Sequence, residues 1–222
     1  MSSTENATVA AATAVERLAE KSLLRPNQKL DQAIISSEQN GLPAITVSPL
    51  QGHFLAIQCQ LIGAKTVLEI GTLGGYSTIW FAETGAKVTS IEINPKHRDV
   101  ALKNVAGLDV EIILGNALDV LPKLAEEGRK FDMVLVDASW GEQGTYFDWA
   151  VKLTRPKGCI YIDNVIWPLL DSGLAEEGKK SLLTHVGKDD RVKATLVPMI
   201  STAHTKLEGR TILDGFILAV VN

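Results

Sequence analysis

Two hydrophobic periods divide this chain. The first forty residues carry the helical one. Ala14, Leu18, Leu23 and Leu24 predict one helix, and Leu30, Ala33, Ile34 and Ile35 a second, stopped by Gly41-Leu42-Pro43. Residues 1 to about 10 are small and polar and predict a frayed end. Ser48-Pro49 reads as a helix start, a hydroxyl cap followed by proline in the first helical position. Phe54, Leu55, Gln58, Leu61 and Ile62 carry that helix to Gly63. The period then changes. Residues 66–70 form a short, β-rich, mostly apolar run ended by glycine, as in a strand buried on both faces. Further strands are predicted at 87–92, 110–114, 131–137 and 159–163, with helices at 75–83, 94–105, 118–127 and 147–153. Five strands alternating with helices predict a parallel sheet covered on both faces. The end departs from alternation. A helix near 175–186 precedes β-like segments at 192–199 and 216–221, which predict a closing antiparallel hairpin. The reading is an α/β fold with a seven-stranded, mostly parallel sheet. Residues 1–40 form accessory helices and residues 41–222 the main domain, with no internal repeat.

Composition narrows the classes. The 222 residues are 45% apolar and 22% charged, as in an ordinary globular domain. A net charge of −4 is the wrong sign for a nucleic-acid or polybasic membrane binder. No apolar run is long enough to span a bilayer, and the N-terminus lacks a secretory pattern. Cys59 and Cys159 form neither a CxxC nor a metal cluster, so two buried free thiols in a cytoplasmic protein are expected.

In an open α/β sheet, ligands bind beyond the carboxyl ends of the strands. The loop after the first strand reads Glu69-Ile-Gly71-Thr72-Leu-Gly74-Gly75-Tyr76-Ser77. Glycines there allow a sharp turn and a close approach to a ligand, and equally suit a plain tight turn. The G-x-G-x-x-G dinucleotide spacing is absent, which argues against a nicotinamide oxidoreductase. Glu69 would repel a pyrophosphate but accept hydrogen bonds from a cationic ligand. Glu92 ends the second strand, 23 residues on, where an acid can take ribose hydroxyls. Asp137 ends the fourth strand and Asp163-Asn164 the fifth. If those strands are neighbours, two carboxylates and an amide oxygen converge, a hard set suited to Mg²⁺. Acids at strand ends and Asp-Asn turns also occur without any metal.

The segments VLEIGTLGGYSTIWFA, SIEINPKH, GNALDVLPKL, FDMVLVDA and GCIYIDNVIW together resemble the class I S-adenosylmethionine-dependent O-methyltransferases, which have a Rossmann-like fold. SPLQGHFLAIQCQLIGAKTVLEIGTLGGYS narrows the resemblance to the cation-dependent caffeoyl-CoA/catechol O-methyltransferase type, and DGFILAVV returns to it near the end. The resemblance implies S-adenosylmethionine as cofactor, contacted by Val47, Glu69, Gly71, Thr72, Ser77, Glu92 and Ala117, with Asp137 and position 139 at the same place. It implies Asp137, Asp163 and Asn164 as ligands of a divalent cation, a small phenolic acceptor, and a homodimer.

One stretch departs from the family. After the fourth strand the family reads V-D-A-D-K-x-x-Y, whereas this chain reads Val136-Asp137-Ala138-Ser139-Trp140. Ser139 replaces an aspartate that contacts cofactor. Trp140 replaces a lysine close to the reacting hydroxyl and can stack on an aromatic acceptor. Three readings stay open: the cation alone acidifies the acceptor; His53, His204 or Lys152 serves as base; or the protein binds cofactor with weak turnover. A metal-independent methyltransferase with another acceptor is the remaining alternative. Segments 165–173 and 199–210 and the N-terminal helices are the expected acceptor-selecting surfaces, with Trp167 and Pro168 as one wall.

Overall fold

The computed structural model describes residues 3–174, 176, 178–201 and 212–222, with side chains from residue 11 onward except at 175, 177 and 200–213. Three helices precede the sheet: α1 (Ser3–Leu23), α2 (Gln28–Gln39) and α3 (Pro49–Leu61). Then come β1 (Thr66–Ile70), α4 (Tyr76–Ala82), β2 (Lys87–Glu92), α5 (Pro95–Asn104), β3 (Val110–Leu114), α6 (Ala117–Glu126), β4 (Phe131–Val136), α7 (Gln143–Leu153) and β5 (Thr154–Ile162). The chain closes with α8 (Ile166–Asp171), α9 (Leu182–Val186), β6 (Val192–Ser201) and β7 (Ile212–Val221). The seven strands lie in the order β3-β2-β1-β4-β5-β7-β6. β1 to β5 run parallel, and β7 runs antiparallel to both β5 and β6.

Strand periodicity explains the layers. Leu68, Ile70, Val134, Val136 and Ile160 face one side and pack with Leu121 of α6 and Phe147 of α7. Val67, Met133, Leu135 and Tyr161 face the other and pack with Leu55 of α3 and Phe81 of α4. Both faces are covered, as the near-continuous apolar strands require. α2 joins the same body, with Leu30 and Ala33 buried against Tyr76, Ile79 and Val105. Cys59 and Cys159 are buried and free, and burial pushes both thiols up to about 12, which leaves them unreactive at neutral pH.

Several boundaries differ from the sequence reading. α1 starts at Ser3, where a frayed end was expected. α6 starts at Ala117 because Asn116 Oδ1 accepts from the Leu118 N–H. α7 begins four residues before Phe147; its first turn carries Gln143, a polar residue buried by its own hydrogen bonds. Residues 154–158, outside the strand that the sequence predicts, join β5 across a register shift, with Lys157 at φ +62. The helix expected over 175–186 is only α9, begun by a reciprocal Ser181/Thr184 cap, and Ala175 lies outside the described residues. α8 was not expected. Its Pro168 sits within the first turn, where no intrahelical N–H is lost. Among the described residues no helix is long and apolar enough to cross a membrane.

Candidate active site

The strand order reverses between β1 and β4, and that is where the sheet opens. Gly71 N–H donates to the Ile91 carbonyl, Asp137 N–H to Ile70 and Asp163 N–H to Val136, so the ladders continue one residue beyond each strand. With Ile70 beside Ile91 and Val136, and Val136 beside Ile162, the next lateral row is Glu92, Gly71, Asp137, Asp163. Neighbours in such a row stand about 4.8 Å apart. Three acids thus share one edge, and the middle of the row has no side chain. A Cβ on Gly71 would lie 2.0 Å from the Asp137 carbonyl oxygen, and its φ is +98, so only glycine serves there.

Above this row lies a cavity of about 450 Å³. Of the residues predicted to touch cofactor, Val47, Gly71, Thr72, Ser77, Glu92, Ala117, Asp137 and Ser139 line it. Glu69 does not. It is buried under the loop, where Ser77, Thr78 and Ser90 donate hydroxyls to it at 2.6, 2.5 and 2.5 Å. Burial raises its pKa to about 7, and the Glu92 charge adds to that against the three hydrogen bonds. Its position in this structure is that of a scaffold, holding Ser77 at the cavity wall. Glu92 has the opposite setting. Its carboxylate accepts from the backbone N–H groups of Thr72, Leu73 and Asn94 at 3.2, 2.8 and 2.9 Å. These bonds hold Leu73 in the left-handed conformation, φ +49, and fix the loop around the cavity. Asn104 supports the loop by donating to the Gly74 carbonyl at 2.9 Å.

Asp137 and Asp163 adjoin at the ends of neighbouring strands. Both pKa values are raised, first by burial. The Glu69 and Asp214 charges then act on Asp137, and the Asp137 and Asp214 charges on Asp163. Among the described residues no basic side chain relieves either acid. Asn164 follows at φ +54, its amide nitrogen donating to Asp214 at 2.9 Å. Among the described residues no three or more His, Cys, Asp or Glu side chains form a metal-holding group. Two acids and an amide are a smaller and harder set. Their uncompensated charge and oxygen-only chemistry fit a cation that keeps several waters.

Of the residues proposed to act as base, His53 and Lys152 do not line the cavity. α7 returns from the carboxyl ends of the strands to the start of β5, so Lys152 in its last turn sits about 15 Å away, over the Trp149 ring. His53 packs against Trp80, with ring centroids 5.5 Å apart, and His185 pairs with Asp148 at 2.9 Å. His204 and most of segment 199–210 lie outside the described residues. Trp140 opens a short 3-10 turn (Trp140–Glu142), is half exposed and does not line the cavity. Sequence reasoning missed Glu142 and Tyr146, which do line it, the tyrosine hydroxyl donating to the glutamate. It also missed Gln143 and Asp214. Only the DGFILAVV match hinted at the last.

A reversed strand order, a glycine-opened row and an acid-lined cavity without a phosphate-binding fingerprint define a class I methyltransferase. The chain belongs to the O-methyltransferase family, whose model matches residues 20–202, and it is an S-adenosylmethionine-dependent O-methyltransferase. It is 39% identical over 208 residues to a catechol O-methyltransferase of Niastella koreensis, covering 86% of this chain and 90% of that one. It is 37% identical over 218 residues to a catechol O-methyltransferase of Mycobacterium tuberculosis, covering 93% and 94%. Its fold matches an O-methyltransferase from Bacillus cereus, solved in complex with SAH, with a TM-score of 0.84 and 34% identity, covering 96% of this chain and all of that one.

Proposed function

We propose that this enzyme methylates a phenolic hydroxyl of a catechol-like small molecule, with a divalent cation held by Asp137, Asp163 and Asn164. Mg²⁺ is the cation that the oxygen donors favour. The observation that carries the reading is the lateral row in which Gly71 separates Glu92 from the adjoining Asp137 and Asp163. When bound, the cation supplies the charge that brings a phenol, ordinarily of pKa near 10, toward ionisation at neutral pH, and S-adenosylmethionine supplies the methyl group.

The chain's own residues position and hold. Glu92, already fixed by three backbone N–H groups, accepts from the ribose hydroxyls. Gly71 leaves room between the two acid sites, so donor and acceptor meet there, and orientation supplies much of the rate. Ser77, Thr72, Val47, Ala117 and Ser139 complete the walls. Two adjacent hydroxyls suit the open positions of a cation with three protein ligands, and the catechol-named relatives support that choice. A homodimer and a cytoplasmic location complete the reading. The exposed Val15, Leu18 and Leu23 of α1 and Leu61 of α3 support the first, and two unpaired thiols the second.

The test is methyl transfer to a small catechol panel with added Mg²⁺ and with EDTA. Product that EDTA abolishes supports the reading and makes the missing lysine dispensable. Product that survives EDTA moves the assignment to a metal-independent methyltransferase. Ser139 and Trp140, which replace the family Asp-Lys, favour a second reading, cofactor binding with weak turnover. Intact cofactor affinity with no product in either condition would favour it.

A further inference from the structure

We infer that Asp214 is the positioning residue that turns the Asn164 side-chain oxygen toward the cation; the inference rests on the cation reading above. Asp214 lies in the first half of β7 and is 5% exposed. Its Oδ2 accepts from Asn164 Nδ2 at 2.9 Å. Its Oδ1 accepts from the backbone N–H groups of Ile166, Trp167 and Gly215 at 3.1, 3.2 and 2.8 Å. Three backbone donors on Oδ1 and the Asn164 amide on Oδ2 hold the carboxylate in place. An ionised carboxylate only accepts. The amide of Asn164 must therefore present its NH₂ to Asp214 and its oxygen to the other side. Without that partner the two ends of the amide are nearly equivalent in shape, and half of the orientations aim N–H groups at the cation.

The Asn164 backbone is already fixed, so side-chain orientation is the freedom that remains. Val165 N–H donates to the Gly215 carbonyl at 2.9 Å, and Gln143 Nε2 donates to the Asp163 and Asn164 carbonyls at 2.7 and 3.3 Å. Gly215 lets β7 come this close, since a Cβ there would stand 2.7 Å from the Val197 carbonyl oxygen and 2.8 Å from Ile166 Cδ1. The same carboxylate caps the start of α8, whose own preceding residue, Val165, offers no cap. One aspartate thus ties the third proposed ligand to the helix bordering the acceptor side.

The test is Mg²⁺ titration calorimetry on the full chain, without acceptor, with thermal melts as the folding control. Asp214→Asn offers an NH₂ as readily as an oxygen and should weaken Mg²⁺ binding about 10- to 100-fold. Asn164→Asp alone sets two carboxylates face to face and should weaken it too. If Asp214 acted only through its charge, the added acid would tighten binding. The exchange Asn164→Asp/Asp214→Asn rebuilds an amide donating to a carboxylate, reversed in direction and with the same net charge. It should recover binding to within about threefold of wild type. Asp214→Asn binding within about threefold of wild type, or an exchange variant as weak as Asp214→Asn, overturns the positioning role and leaves the cation reading standing. A wild-type chain that binds no Mg²⁺ overturns both.

Discussion

The two rims of the sheet treat their acids in opposite ways. At the amino-terminal rim, Asp132 is paired with Arg155 and also accepts from the backbone N–H groups of Lys65 and Thr66 at 2.7 and 2.8 Å. Burial alone would raise its pKa, but the Arg155 hydrogen bond and the other donors bring it down to about 2. Glu111 on the same rim pairs with Arg129 at 3.1 Å. At the carboxyl-terminal rim, Glu69, Asp137 and Asp163 are all pushed up, first by burial and then by one another or by Glu92 and Asp214. One rim neutralises its charges internally. The other leaves Asp137 and Asp163 without a basic partner among the described residues. The difference separates Asp132 and Glu111, each paired with an arginine, from Asp137 and Asp163. Glu69, held by three hydroxyls, stands between the two cases. All sit in strands or at their ends and are the same two amino acids.

Removing a carboxylate from the upper rim should give the largest effect on activity and the least on stability. Asp163→Ala is expected to lower the turnover of a catechol by about 10³-fold or more, since a cation's charge is worth several kcal/mol at the transition state and each 1.4 kcal/mol is tenfold. The melting temperature of the ligand-free protein should hold or rise, because a repelling charge is gone. Turnover within tenfold of wild type, or a marked loss of stability, would place Asp163 with the lower-rim acids.

Gly71→Ala tests whether the gap in the row matters as much as the acids around it. The added Cβ meets the Asp137 carbonyl oxygen at 2.0 Å, and the backbone sits at φ +98. Relief requires β1 and β4 to move apart at the point where the cavity opens. We expect a loss of about 3 kcal/mol in urea unfolding, from overpacking together with backbone strain, and at least tenfold weaker binding of S-adenosylhomocysteine. Unchanged affinity would mean that the row can open without closing the cavity.

Much of this contrast was legible in the sequence. Glu92, Asp137 and Asp163 each close an apolar run, and a parallel α/β fold places all such ends on one rim. The row itself was not legible, because register depends on pairing between strands more than 20 residues apart. The setting of Glu69 was hidden for a related reason. Its position at a strand end says nothing of the three hydroxyls that Ser77, Thr78 and Ser90 bring over it from α4 and β2. Asp214 and Gln143 were missed because their partners, Asn164 and the 163–164 carbonyls, lie 50 and about 20 residues away. The Asp132–Arg155 pair was not anticipated, since its two residues lie 23 positions apart.

Asp132→Asn probes the lower rim. A carboxylate whose folded pKa lies below its ordinary 3.8 stabilises the fold above that value, and the benefit is lost as pH falls toward 2. The Asp132 side chain is 16% exposed and Arg155 36%, so solvent screening trims the effect to about 1–2 kcal/mol at pH 7. The variant should therefore melt below wild type at pH 7 and converge with it near pH 2, with turnover at 25 °C unchanged. Glu69 has the opposite sign. Its pKa is raised from 4.5 to about 7, so ionising it costs stability as pH rises through that window. Melting curves of the ligand-free wild type between pH 5 and 7.5 should slope downward once the lower-rim contribution has levelled off.

His97 is the smallest and sharpest challenge to the contrast, since it is the basic side chain nearest an upper-rim acid among the described residues. Its Nδ1 stands 3.7 Å from Glu92 Oε1, too far for a hydrogen bond, and its side chain is 20% exposed. Such a pair is worth at most about 1 kcal/mol. Glu92 already accepts from three backbone N–H groups that hold it without help. His97→Gln should thus change S-adenosylhomocysteine affinity by less than about threefold at pH 7 and leave the melting temperature in place. A tenfold loss would make His97 the internal counterion of Glu92. The upper rim would then be partly neutralised by the chain itself, and the division between its two rims would hold only for the half built by β4 and β5.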